Sequence, residues 1–308
     1  MTKDFLSVLD LSGDELIALL DLAARLKEER ALGASAPTAG ALRGRHVALI
    51  FEKPSLRTRA TFEIAVRELG ADALHVPPSS IDGQREPLED IARNLERWVH
   101  GVVLRTFAQA KALAIGTAAS RLHVVNALTD EEHPCQALAD ALTLREHWGG
   151  WQGRTLAYVG DGNNVAVSLS HIAARLGIHF RIATPRGYEL PTAAVDAFSR
   201  IAPAGATLTA VHDPREGVRG ADAVYTDVWT SMGQEAEADQ RRQLFTPYQV
   251  NAALMAAAAP GARFLHCLPA HRGEEVTADV FESAASVVFD QAENRLHTQK
   301  ALLLMLLA

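Results

Sequence analysis

Cysteine is scarce, basic charge is outnumbered, and no apolar run is long. Only Cys135 and Cys267 occur in 308 residues, which excludes a disulfide framework. Two cysteines and scattered histidines also lack zinc-ligand spacing, so no metal is expected. Lysine and arginine number 30 against 37 acids, a net charge of −7, with no basic run to offset it. That argues against a nucleic-acid partner, although a local basic pocket stays allowed. The N-terminal "MTKDFLSVLD" fits neither a secretory nor an Arg-rich transit pattern. The C-terminal "ALLLMLLA" is far too short to span a bilayer. A cytoplasmic protein without a membrane partner is expected. There is no internal repeat and no low-complexity tract. What is present is globular in kind, 48% hydrophobic and 22% charged, and long enough for one large domain or two.

The apolar pattern alternates between strand and helix. "HVALIFE", "DALHVPP", "GVVLRTF" and "HVVNAL" read as strands. Between them lie "RATFEIAVRELG", ending at Gly70, "EPLEDIARNLERWV" and "AQAKALAIGTA", which read as helices. A helix over 14–31 precedes them, followed by the small-residue linker "ALGASAPTAGAL". Such alternation predicts a parallel sheet covered on both faces. After a long helix at 134–148 the pattern restarts with strands "TLAYVG", "FRIATP", "AVYTDVW" and "FLHCLP". The fold class is therefore α/β, with two doubly wound parallel-sheet domains joined by that helix. "NRLHTQKALLLMLL" is a final amphipathic helix with no strand after it.

Chemistry concentrates where strands end. Ser55, Arg57, Thr58 and Arg59 follow the first strand directly. A helix N-terminus offers unpaired N–H groups and favours an anion. Hydroxyls and a planar guanidinium suit a phosphate or carboxylate cradle without P-loop spacing. The plainer reading is a Ser55 cap beside solvated arginines. "DEEHPCQALAD" puts His133 and Gln136 on one side of a first helical turn, to bind a carbonyl or simply to pack. "YVGDGNNV" sits where a dinucleotide loop would, but Val165 replaces the third glycine and no acid ends the next strand. Asn163 and Asn164 do stand at a strand's C-terminal end, where α/β ligands bind. Asp227 opens "DVWTSMGQE" and suits an ammonium group, or a helix cap. Cys267 in "FLHCLP" reads as a nucleophile, a polar contact or a buried structural residue.

Together "FEKPSLRTR", "DEEHPCQALAD", "GDGNN", "DVWTSMGQE" and "HCLP", with "AENR" before the last helix, resemble the ornithine carbamoyltransferases of the aspartate/ornithine carbamoyltransferase family. Each stretch is weak alone; their order along nearly the whole chain is specific. The resemblance implies a carbamoyl-phosphate domain at 1–137, with the C-terminal helix 292–308 packing back on it, and an ornithine domain at 138–291. It implies carbamoyl transfer from carbamoyl phosphate to the δ-amine of L-ornithine, giving L-citrulline and phosphate, without cofactor. Phosphate is then assigned to Ser55, the Leu56 backbone, Arg57 and Thr58. The carbamoyl group is assigned to Arg105, His133 and Gln136. The α-groups of ornithine are assigned to Asn164, Asp227, Ser231 and the Met232 backbone. The reacting amine is assigned to Cys267 and the Leu268 carbonyl, with Arg295 nearby; Arg105, His133, Cys267 and Arg295 form the catalytic set. The family implies a homotrimer or a multiple of trimers.

The sequence departs from the family twice. Leu56 stands where the family has Thr, which removes a side-chain donor but keeps the N–H. Ile81 stands where, in the family, a loop side chain reaches the neighbouring subunit, so that contact must come from backbone or from a nearby residue such as Ser80, Gln84 or Arg85. Aspartate, putrescine or N-acetylornithine are alternative acceptors within the family. Outside it stand an NAD-dependent oxidoreductase built on "VGDGNN", or an inactive binding protein.

Overall fold

The computed structural model describes residues 2–231, 233 and 235–308. Strands β1 (His46–Phe51), β2 (Asp72–Val76), β3 (Gly101–Arg105) and β4 (His123–Leu128) form one parallel sheet in the order β2-β1-β3-β4. Helices α1 (Gly13–Glu29), α2 (Leu56–Glu68), α3 (Leu88–Trp98) and α4 (Gln109–Ala118) accompany it, and α5 (Pro134–Trp148) follows. Strands β5 (Thr155–Val159), β6 (His179–Ala183), β7 (Leu208–Val211), β8 (Ala223–Thr226) and β9 (Arg263–His266) form a second parallel sheet, ordered β7-β6-β5-β8-β9. With it come α6 (Asn164–Leu176), α7 (Thr192–Ile201) and the short α8 (Pro214–Val218), α9 (Ala238–Phe245), α10 (Ala252–Met255) and α11 (Ala278–Phe281). The last helix is α12 (Val288–Leu307).

The chain forms two compact units, Met1–Leu142 with Glu293–Ala308, and Thr143–Ala292. The C-terminal part of α12 packs back on the first unit: Lys300 Nζ donates to Glu68 Oε2 at 2.8 Å, and Leu307 lies against Gly101. In the first unit Ala48, Ile50, Val102, Leu104 and Val124 pack with Ile91, Leu95 and Ile115. In the second, Leu156, Tyr158, Phe180 and Ile182 pack with Leu169 and Ala173. Its other face sets Val159, Val224 and Phe264 against Val250, Val276 and Val280. Burial of both faces explains why the central strands read as continuous apolar runs.

Three differences from the sequence reading have physical causes. Strand β7 has no matching apolar run, because it is a four-residue edge strand with Thr209 and Ala210 exposed. Helix α2 starts at Leu56 rather than at Arg59–Ala60, because Ser55 caps it: its Oγ accepts from Thr58 N–H at 3.2 Å. Helix α12 starts at Val288, ahead of its amphipathic segment. Ile81 is fully buried in the first unit's core, whereas Ser79, Ser80 and residues 82–86 are exposed. Ile81 thus anchors its loop by burial.

Each sheet reverses its winding once. The first does so between β1 and β3, the second between β5 and β8. Neighbouring strands leave such a point in opposite directions, which opens a crevice at their C-terminal ends.

Gly70 closes α2 with φ +79°, and a Cβ there would come within 2.5 Å of the Gly40 Cα. Left-handed backbone plus a backbone clash costs about 1–3 kcal/mol. Gly70→Ala is therefore expected to lower Tm by roughly 3–10 °C in a thermal melt; an unchanged Tm would show that the 40–44 turn yields freely.

Candidate active site

The first unit's candidate residues gather at the β1/β3 switch point. Ser55 and Thr58 stand at the start of α2, and Arg105 ends β3. Ser55 Oγ accepts from Thr58 N–H, so its own O–H remains to donate. Thr58 Oγ1 accepts from Arg295 Nη2 at 2.8 Å, which likewise leaves its O–H as a donor. The Leu56 and Arg57 N–H groups lie in the first turn of α2. Leu56 itself points outward, 79% exposed. Arg57 is half-buried; Arg59 is exposed, with Nη2 3.4 Å from His75 Nδ1.

Behind these lies a buried chain of polar contacts. Arg295 on α12 donates from Nη1 to Gln136 Oε1 at 2.6 Å, and Gln136 Nε2 donates to Asp140 Oδ1 at 2.8 Å. The guanidinium therefore ties the Gln136 and Thr58 side chains together. His133 precedes α5, at the end of a turn in which Thr129 N–H bonds the Glu132 carbonyl at 2.9 Å. Burial pushes the His133 imidazole well below its ordinary range, and Arg295, Arg105 and Lys53 push the same way. The ring is neutral at pH 7, with one N–H to donate. Cys135, fully buried two residues on, gives its S–H to the Asn126 carbonyl, and burial pushes the thiol up to about 12. It is structural.

The second unit's candidate residues gather at the β5/β8 switch point. Asn163 caps α6, its Oδ1 accepting from Val165 N–H at 3.0 Å and Ala166 N–H at 3.2 Å. Its Nδ2 crosses the switch point to Asp227 Oδ2 at 2.9 Å, and Cys267 Sγ donates to Asp227 Oδ1 at 2.9 Å. Asp227, just beyond β8, is buried, and among the described residues its partners are both neutral. Asn164 and Ser231 are half-buried in the same unit. Met232 lies outside the described residues. Leu268 has φ +62°, the single non-glycine positive φ among the described residues.

The glycines of "VGDGNN" have local reasons. Gly160 has φ +143°, and a Cβ on Gly162 would sit 2.5 Å from the Glu189 carbonyl. A neighbouring segment of the same chain occupies the space beside Gly162. Asp227, His266 and Cys267 bring one possible metal-ligand atom each within 4.8 Å of one another. Both His266 ring nitrogens are already engaged, however: Leu268 N–H reaches Nδ1 and Glu275 lies at Nε2. A metal would have to break one of those bonds.

Comparison with known proteins now bears on the site. Residues 3–146 match the family described as Aspartate/ornithine carbamoyltransferase, carbamoyl-P binding domain, and residues 152–306 its Asp/Orn binding domain. The chain belongs to the aspartate/ornithine carbamoyltransferase family. A relative from Acidothermus cellulolyticus named ornithine carbamoyltransferase is 51% identical, covering 100% of this chain and 97% of its own. One of the same name from Anoxybacillus flavithermus is 48% identical over 99% and 96%. The solved ornithine carbamoyltransferase of Pyrococcus furiosus is 43% identical with TM-score 0.94, over 99% of this chain and 96% of that one. That of Thermus thermophilus is 45% identical with TM-score 0.89, over 100% of both.

Within this family member the structure adds polar residues that the motifs did not single out. Lys53 is 4% exposed, pairs with Asp130 and lies 4.5 Å over the Phe107 ring. Its place beside the "SLRTR" run was a signal, had a buried lysine been sought. Arg241 on α9 is 3% exposed, pairs with Asp161 and donates from Nε to the Trp229 carbonyl at 2.5 Å. Its guanidinium also stacks 4.7 Å from the Tyr188 ring. It so ties the segment after β8 to the loop after β5. Nothing in "ADQRRQLF" marks that role.

Burial pushes the Asp161 carboxyl up to about 6, against the attraction of Arg241. A folded pKa above the unfolded 3.8 means that the folded state holds the proton more tightly. This group's contribution to stability is thus full below about pH 4 and lost as pH rises through about 6. Carboxyl NMR of the folded protein should give an Asp161 midpoint near 6; a midpoint near 4 would show that Arg241 outweighs burial.

Proposed function

We infer that this chain transfers the carbamoyl group of carbamoyl phosphate to the δ-amine of L-ornithine, releasing L-citrulline and phosphate. Near-half identity to ornithine carbamoyltransferases across the whole chain supports the reaction class. The observation that carries the acceptor is Asp227, a buried carboxylate whose partners among the described residues are both neutral. A buried charge is stable when paired, and the α-ammonium of ornithine supplies the missing cation. N-acetylornithine has no such ammonium, and putrescine has no α-carboxylate for Asn164, Ser231 and the Met232 backbone.

In this reading Arg57, the Ser55 and Thr58 hydroxyls and the Leu56 N–H hold the phosphate. The neutral δ-amine attacks the carbonyl carbon, and negative charge grows on the carbonyl oxygen. Arg105 and the neutral His133 donate to that oxygen, and preorganised donors there lower the barrier. The C–O bond to phosphate breaks as the C–N bond forms; Arg57 offsets the charge gathering on the departing phosphate, which takes the proton that the amine sheds. Gln136 contacts the carbamoyl amide, while Arg295 holds Gln136 and Thr58 in place from behind. Cys267 and the Leu268 carbonyl steer the amine. A thiol donating to a carboxylate is held as S–H, not as the thiolate a nucleophile needs, so transfer is direct and no acyl-cysteine forms. The enzyme supplies position and charge, with no cofactor assigned. We place it in the cytoplasm and in arginine synthesis; among the described residues no helix is long and apolar enough to cross a membrane.

A citrulline-forming assay with each acceptor tests this reading. L-Ornithine should give a far higher kcat/KM than aspartate, putrescine or N-acetylornithine, and a reversal overturns the assignment. In the same assay Arg57→Ala should lower kcat/KM for carbamoyl phosphate on the order of 10²-fold or more, as for loss of a charged donor in the transition state. Near-normal activity would return Arg57 to the role of a solvated helix residue. The proposed trimer, with Ser80, Gln84 and Arg85 reaching the next subunit, predicts three times the chain mass by sedimentation; a monomer that turns over fully would remove the shared site.

A further inference from the structure

Leu268 occupies a backbone conformation that a branched side chain rarely adopts, φ +62°. A left-handed non-glycine residue persists only where its surroundings hold it. Its N–H donates to His266 Nδ1 at 2.8 Å. An Nδ1 that accepts carries no proton, so the ring proton sits on Nε2. Nε2 lies 3.1 Å from Glu275 Oε1 and donates to it. Both His266 and Glu275 are 0% exposed. The same Glu275 oxygen accepts from His271 N–H at 2.5 Å, and Gln291 Oε1 takes the backbone N–H of His266 at 3.0 Å. The ring is therefore fixed at both nitrogens and through its backbone, and only one tautomer satisfies both contacts.

We propose that His266 and Glu275 are positioning residues for the acceptor amine: Glu275 fixes the tautomer of His266, and His266 Nδ1 holds Leu268 in the turn that presents its carbonyl and Cys267. Neither touches substrate. Cys267, between the two bonded residues, has its Sγ directed to Asp227. One clamp thus sets the α-ammonium and the δ-amine contacts together. The proposal rests on the ornithine reading for the identity of the amine, but not for the clamp itself.

The decisive contrast is between two substitutions of one histidine. Asn places its Oδ1 near the former Nδ1 and keeps an acceptor for Leu268 N–H. Gln reaches toward the former Nε2 and abandons that acceptor. Losing a hydrogen bond that positions a substrate costs about tenfold, so His266→Gln should raise the acceptor KM about tenfold or more. His266→Asn should recover most of that loss. Carbamoyl phosphate KM should stay within about twofold in both, since the clamp belongs to the other compact unit. Glu275→Ala should behave like His266→Gln, and Glu275→Gln, which keeps an acceptor for Nε2–H, should rescue it. Equal damage by Asn and Gln, or parallel rises in both KM values, would reduce the pair to ordinary core packing and overturn the proposal. Should the variants fold poorly, ¹⁵N NMR of the unaltered enzyme still decides: His266 must be the Nε2-protonated neutral tautomer, and an Nδ1–H or an imidazolium overturns the clamp. If ornithine is not the acceptor, the citrulline assay fails while this tautomer signature persists, so the two failures separate.

Discussion

Parallel strands oblige the chain to return outside the sheet. Where successive returns take opposite sides, two neighbouring strand ends part and the backbone beyond them is uncovered. In the first unit that parting lies between β1 and β3, and Ser55 and Arg105 leave from it. In the second it lies between β5 and β8, and Asn163 and Asp227 leave from it, joined by a 2.9 Å hydrogen bond. The same winding rule builds the crevice of each unit; the side chains set its charge. One collects guanidiniums, and the other buries a carboxylate.

The collected charge has a visible effect on its neighbours. Burial and the cations Arg295, Arg105 and Lys53 act together to keep His133 neutral. An imidazolium would add another cation to a crowded place. In the other unit burial dominates, holding the proton on Asp161 to about 6 even beside Arg241. The Gln136 side chain is fixed between Arg295 and Asp140.

The architecture was legible because both faces of each sheet are buried, which leaves β1, β3, β5 and β8 as apolar runs between helical periods. Edge strand β7 escaped because a half-solvated strand with Thr209 outward has no such run. Candidate site residues next to a strand end, such as Ser55, Asn164 and Asp227, are marked by position. Residues that work through others could not. Arg241 lies in a polar helix far along the chain from Asp161, and Glu275 sits in a turn nine residues after His266. Their roles depend on tertiary contact, which a local pattern does not carry. Ile81 shows the reverse: read as a loop tip, it is an anchor, because an isolated apolar residue among Ser, Asp and Gly gives no periodicity to place it.

The bond from Arg295 to Thr58 spans 237 residues. On a ribosome, α2 and its cap emerge early and can form at once, since Ser55 and Thr58 are neighbours. The guanidinium that leaves Thr58 its outward proton arrives only with the last helix. Until then Gln136 also lacks the donor to its Oε1. A chain that lacks α12 thus has the Ser55 cap of α2 but not the guanidinium that orients Thr58 and Gln136. Contacts of such sequence separation form slowly, so under the proposed function phosphate binding would follow the docking of α12 rather than the folding of the strands.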